Sequence, residues 1–173
     1  MRIVSRHYDT FVYTVTSAGP CAVELADIAI GTRKLFVDCL LLKICVEPGD
    51  RSLAPAAAEI IKMTAARSDS GCIVIDGVTE WPRGQDLRER GFDVLTELAD
   101  MLDILAEVTE RLEERGELVH LMPFGWNTVR QAEIRDGSWS SQVTRLRPGG
   151  PLLARHRHSR APRHAGSCRS RIY

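Results

Sequence analysis

Leu35 to Val46 (LFVDCLLLKICV) is almost continuously apolar and is stopped by Pro48-Gly49. An unbroken apolar run of strand length suits a strand buried on both faces, so this segment predicts a central strand. Cys72 to Ile75 (CIVI) predicts a second buried strand, ended by Asp76-Gly77. Met1 to Val15 alternates instead, through Ile3, Val4, Phe11, Tyr13 and Val15, with His7 to Asp9 as an interruption. That pattern predicts two short strands or one bent strand. Residues 53–67 hold Pro55 near the start, a run of alanines, and Ile60, Ile61 and Met63 on one side, which predicts a helix. Trp81-Pro82-Arg83-Gly84 predicts a turn. From Phe92 through Leu95, Leu98, Met101, Leu102, Leu105 and Val108 to Leu112, apolar residues recur at three- and four-residue steps. They predict a long amphipathic helix closed by Arg115-Gly116, with Glu97, Glu107, Glu110, Glu113 and Glu114 as a solvated face. Leu118–Leu121 predicts a further strand, and Thr128–Ile134 with Ser141–Leu146 a last hairpin across Asp136-Gly137. Strands alternating with helices give an α/β (α+β) domain, one mixed β-sheet with packed helices.

Composition narrows the class. The chain has 173 residues, enough for one domain with its own core, and 44% hydrophobic against 27% charged residues is ordinary for a globular protein. Net charge is zero but uneven: residues 1–146 hold all 23 acidic residues and 16 of the 23 basic ones, a net −7. The segment 147–173 is rich in Arg, His, Pro, Gly and Ser, and predicts a disordered tail beside a folded domain 1–146. Within it Arg155-His156-Arg157-His158 is a candidate phosphate grip; an extension with no role is the other reading. Cys21, Cys39, Cys45, Cys72 and Cys168 form no C-x-x-C pair and predict reduced cysteines. No Cys/His cluster has ligand spacing and no Gly-rich phosphate loop follows a strand, so neither a metal nor a cofactor is expected. No secretory pattern opens the chain and no apolar run has the length of a membrane span, which predicts a cytoplasmic protein with no membrane partner.

The segment Val119 to Thr128 (VHLMPFGWNT) carries the most chemistry. A strand runs into a Pro/Gly turn flanked by two aromatics, a place where a flat ligand can approach the backbone. Trp126 is read as a pocket wall and Phe124 as core. Glu80 and Asp76, after a buried strand, are either an acid/base pair or solvated loop carboxylates. His7 is either polarised by Asp9 or a satisfied structural histidine. His120 is assigned no role. Ser138, Ser140 and Ser141 around Trp139 have no base at a readable spacing and predict a hairpin loop.

Pro123-Phe124-Gly125-Trp126 resembles the Pro-Phe-Gly-Trp-Tyr-Lys loop of the archaeal-type editing domain of threonyl-tRNA synthetase, a relative of the D-aminoacyl-tRNA deacylases. The likeness runs in order through residues 1–146. Met1-Arg2-Ile3-Val4 with His7 and Asp9 is similar to the family's opening strand and His-x-Asp turn. Leu35 to Val46 followed by Glu47 resembles its central strand, Cys72 to Ile75 the strand before its Tyr-Pro-Tyr-Ala-His-Leu motif, and Gln142-Val143-Thr144-Arg145 its Glu-Leu-Ser-Arg ending. The resemblance implies a deacylase-like fold and hydrolysis of serine mischarged on threonine tRNA, or of D-aminoacyl-tRNA, in trans. That chemistry rests largely on the substrate's own 2′-hydroxyl, with protein groups positioning water and substrate.

The charged members of the family's site are replaced here. Thr128 stands at its Lys and Gln142 at its carboxylate, and Asp76-Gly77-Val78-Thr79-Glu80 replaces the Tyr-Pro-Tyr-Ala-His motif. Carried over residue by residue, the resemblance implies Thr128 and Glu80 at the catalytic positions. It implies Val46, Glu47, Phe124, Gly125, Trp126, Asn127 and Gln142 around the substrate. The partner implied is the aminoacyl-tRNA 3′ end, with a separate threonyl-tRNA synthetase and a homodimer as further possibilities. Two functions stay open: an editing hydrolase with altered catalytic positions, and a silent scaffold of the same fold that binds a synthetase, a tRNA or another protein through its long helix. An open cleft beside Trp126 favours a ligand site, a filled one the scaffold.

Overall fold

The computed structural model describes residues 1–47, 49–79, 93–137 and 141–149. In chain order the elements are β1 (Arg2–Ala18), β2 (Arg33–Val46), α1 (Ala54–Ser68), β3 (Cys72–Thr79), α2 (Val94–Glu113), β4 (Val119–Leu121), β5 (Trp126–Ile134) and β6 (Ser141–Arg145), with 3₁₀ turns at Asp27–Ala29 and Asp50–Leu53. The strands form a single mixed sheet in the order β4-β3-β2-β1-β5, with β6 also on β1, so the expected α+β class holds. β2 pairs parallel with β3 and β3 parallel with β4, while β1 pairs antiparallel with β2, β5 and β6.

β1 is one strand with a bend. Opposite β5 the register slips between Tyr8 and Thr10, which makes Asp9 the extra residue of a bulge. Asp38, facing it on β2, sits at φ +52°. Side chains alternate along a strand, so one extra residue exchanges the two faces. Met1 and Ile3 therefore join the helix-side core with Leu40, Leu42 and Ile44, whereas Phe11, Tyr13 and Val15 join Tyr8 on the opposite face. His7 is tied into this bulge: its Nε2 lies 2.9 Å from Asp38 Oδ1. Asp9 instead accepts from Arg135 Nε at 2.6 Å, so the His7–Asp9 pairing read from adjacency is replaced by a cross-strand one.

The two described α-helices cover one face of the sheet. Ala57, Ala58, Ile60 and Ile61 of α1 and Met101, Ile104, Leu105, Val108 and Leu112 of α2 pack with Ile73 and Ile75 in one core. Each fully buried Leu or Ile contributes about 1.5–3 kcal/mol there. Met63 is not part of it, being 46% exposed. Asp93 caps α2 by accepting from the Leu95 N–H at 3.1 Å, and Gly116 at φ +82° closes it, as its Gly residue predicted. At the other end of the core, Asp50 accepts the Glu47 N–H at 2.7 Å and meets the buried Met1 ammonium at 2.7 Å.

Three sequence expectations change. The central strand is deeply buried only from Cys39 on, for Leu35 and Val37 project past the start of β3 and are 58% and 62% exposed. β3 does not stop at Asp76-Gly77 but continues to Thr79, because both residues pair with Lys43 and Ile44 of β2. β5 and β6 do not form a hairpin with one another. They follow each other along the same edge of β1, β5 against Tyr8–Ala18 and β6 against Arg2–Arg6. A partner 17 residues long can hold both in line, and that ladder outweighs a turn signal at Asp136-Gly137. The predicted Trp81 turn, the start of the long helix at Phe92, the loop residues Ser138 to Ser140 and the tail from Gly150 onward lie outside the described residues.

Candidate functional site

The sheet face opposite the helices bears a polar cleft of about 490 Å³. The Pro123-Phe124-Gly125-Trp126 turn forms one wall, Asn127, Thr128 and Arg130 of β5 continue it, and Lys43 with Asp76 to Thr79 forms the opposite side. Four residues read from the resemblance, Phe124, Gly125, Trp126 and Asn127, meet here together with Thr128.

The turn is held by the loop that follows β1. Gly19 N–H donates to the Gly125 carbonyl at 2.9 Å, Val23 N–H to the Phe124 carbonyl at 3.1 Å, and Trp126 Nε1 to the Val23 carbonyl at 2.8 Å. Gly125 has φ +78°, and a Cβ there would stand 2.5 Å from the Cys21 carbonyl oxygen. Only glycine meets both conditions. Trp126 is thereby anchored by its indole N–H, and its ring borders the cleft while packing against the second core. Phe124 touches the helix-side core, as expected, but also lines the cleft.

The cationic groups come from positions the sequence did not mark. Arg130 Nη1 donates to Asp76 Oδ2 at 2.7 Å, and its Nε donates to Thr128 Oγ1 at 2.8 Å. The Thr128 oxygen is thus an acceptor toward Arg130, which leaves its hydroxyl proton to donate elsewhere. Lys43, the register neighbour of Asp76, adds an exposed ammonium with no ion pair among the described residues. Its one sequence signal is that it is the lone cation within LLLKICV. Asp76, expected as an acid/base partner of Glu80 or as a solvated loop carboxylate, is instead a buried strand residue neutralised by Arg130. The donor set of Lys43, Arg130 and Thr128 suits an anion or an oxygen gaining negative charge.

Other expected members lie elsewhere. Val46 is buried in the helix-side core, and Glu47 is an exposed residue after β2; neither lines the cleft. Val46, the last residue of β2, points its apolar side chain to the helices, away from the cleft. Gln142 is buried opposite Ser5 on the helix side of the sheet, and its Nε2 has no hydrogen-bond partner among the described residues. Glu80, the second expected catalytic residue, lies outside the described residues.

An apolar cavity of about 330 Å³ adjoins the cleft across Met122, Pro123 and Phe124. His120, assigned no role from sequence, lines it with Tyr13; the Tyr13 hydroxyl is 2.6 Å from His120 Nε2, and Phe36 packs on the imidazole at 4.9 Å. Burial pushes the His120 pKa down, helped by Lys34, and burial raises that of Tyr13 against the opposing pull of Arg130. Both groups are therefore neutral near pH 7, with the tyrosine donating to the imidazole. No periodicity links residues 107 apart, so sequence could not reveal this pair. Among the described residues no group of His, Cys, Asp and Glu is arranged to hold a metal, and no helix is long and apolar enough to cross a membrane. No family model matches the chain, and no curated protein matches it.

Proposed function

We propose that the cleft takes the aminoacylated 3′ end of a tRNA and that the protein hydrolyses the aminoacyl ester in trans. The observation that carries this reading is the open cleft beside Trp126, with Lys43, Arg130 and the Thr128 hydroxyl converging on it. Trp126 offers a face for the terminal base, worth about 1–3 kcal/mol per stacked base. Lys43 stands in for the cation that Thr128 does not provide. Water adds to the ester carbonyl, the carbonyl oxygen gains negative charge next to the Lys43 ammonium, and the carbon–oxygen bond to the ribose breaks. The departing ribose oxygen takes the proton, with the neighbouring hydroxyl of the same ribose as the relay. Asp76, fixed by Arg130, orients the donors rather than serving as the base.

Deacylation of Ser-tRNA(Thr) and of D-aminoacyl-tRNAs, measured for the wild type, Lys43→Ala and Trp126→Ala, tests the reading. Hydrolysis above the buffer rate that falls about 10²–10³-fold in Lys43→Ala is expected. No hydrolysis by the folded wild-type protein sinks it. The second reading, a protein that binds a tRNA or a synthetase without turnover, draws on the Arg130–Asp76 pair: the carboxylate lining the cleft is already neutralised. Binding of the tRNA with no loss of the acyl group is its signature.

A further inference from the structure

The register of the sheet sorts charge in a way that the sequence conceals. On the face opposite the helices, Arg145 of β6, Arg2 of β1, Cys45 of β2 and Val78 of β3 form one cross-strand row. The next rows are Val143-Val4-Lys43-Asp76 and Ser141-Arg6-Leu41-Val74. Past the bulge, the row Arg130-Tyr13-Lys34 continues the same face. Among the described residues, the strand positions of these rows carry Arg2, Arg6, Lys34, Lys43, Arg130 and Arg145, and one acid, Asp76, which Arg130 already neutralises. Arg6, Lys34, Lys43 and Arg145 are exposed. The other layer has the opposite sign: α2 bears Glu97, Asp100, Asp103, Glu107, Glu110 and Glu113 against a single Arg111.

We infer that this row of cations is a track for the phosphate backbone of single-stranded RNA, leading over β1 and β6 into the cleft. The inference deepens the proposed function and rests on the same cleft. A cation row that ends beside an aromatic wall is the combination single strands require, backbone charge along the groove and a ring for a base. Adjacent strands lie about 4.8 Å apart and residues 2 and 6 of one strand about 13 Å, so the row spans several phosphates of an extended strand. A lipid surface would need apolar groups to insert beside the charges, and Val4 and Val143 are the only aliphatic residues of the outer rows on β1 and β6. The acidic helix layer repels a polyanion from the far side and fixes which face it approaches. The sheet thus offers a phosphate grip of its own.

The test is fluorescence anisotropy of the full chain with a labelled single-stranded RNA carrying an uncharged 3′ end, titrated over salt concentration. Arg6→Gln/Arg145→Gln is compared with the wild type and with Arg51→Gln, a cation on the helix side paired with Asp100. The expected result is about tenfold weaker binding by the double variant, a salt slope smaller in magnitude by about 0.7 for each lost contact, and no change for Arg51→Gln. Equal affinity and slope for the double variant and the wild type overturn the track. So do the absence of RNA binding at low salt by folded protein, and displacement of the RNA by phosphatidylserine vesicles bound with the same charge dependence. Because the RNA carries no amino acid, failure of hydrolysis leaves this result standing. Unaltered deacylation by Arg6→Gln/Arg145→Gln removes the track and leaves the ester chemistry.

Discussion

Gly125 joins a positive φ to a 2.5 Å approach by the Cys21 carbonyl, so its hydrogen is the only side chain the turn admits. Gly125→Ala is expected to cost about 1–2 kcal/mol for the left-handed backbone alone, plus whatever the loop at 19–23 must yield; urea denaturation reads it. Trp126→Phe keeps a ring in the cleft and removes the indole donor to Val23, an expected loss of about 1 kcal/mol with the fold intact by circular dichroism. His120 makes a pH prediction. Burial holds its folded pKa below the ordinary value of about 6.5, so the unfolded chain binds more protons as pH falls past that point. Its contribution to stability is full above about pH 6.5 and is lost as pH falls below that point through the depressed folded-state pKa. The wild type should lose more stability between pH 7.5 and 5.5 than His120→Gln does, and equal losses would remove the buried imidazole as the cause. The Pro-Phe-Gly-Trp turn was legible in sequence because Pro and Gly act locally. Lys43 and Arg130 were not, because their role depends on which strand lies beside theirs.

At the scale of elements, α2 depends on the smallest residue of β3. A Cβ at Gly77 would stand 2.3 Å from Leu105 Cδ1, so the buried Leu105 side chain of the helix rests against the strand backbone. Gly77→Ala should therefore cost about 1–3 kcal/mol through overpacking, relieved in part by Leu105→Ala on the same chain. A double-mutant cycle measures that coupling, and simple additivity would contradict the packing. Cys39 and Cys72 sit opposite each other on β2 and β3. The hydrogen bond between the two thiols raises the pKa of Cys39 and lowers that of Cys72, and Cys39 is fully buried while Cys72 is half-buried. Cys72 should thus be alkylated by iodoacetamide well before Cys39, as peptide mapping would show. Helix periods and strand runs forecast these elements because burial of one face imposes a period on the sequence. The ends differ where pairing decides, as at Thr79, where β2 carries the ladder beyond Asp76-Gly77.

For the molecule as a whole, β1 is the common member. It pairs with β2 from Arg2 to Thr14, holds β5 and β6 on its other edge, and changes core at the Asp9 bulge. Helix-side and cleft-side cores are therefore coupled through one strand, and the near- and far-ultraviolet circular dichroism transitions should coincide on heating. Separate transitions would mean that the cleft-side core melts on its own. The same topology divides charge, with cations on the cleft-side face and acids on the helix layer. A net charge of zero had hidden that division.

Sequence by itself determined the α+β class, the central strand, both helices and the aromatic turn, since each follows from apolar spacing or from Pro and Gly acting on their neighbours. Only the tertiary structure decided that the bulge exchanges the faces of β1 and that β5 and β6 share an edge. It also brought Lys43, Asp76 and Arg130 to one cleft and sent Val46, Glu47 and Gln142 elsewhere. Those outcomes depend on register between strands distant in the chain, and a one-residue difference in register reverses every side chain it carries.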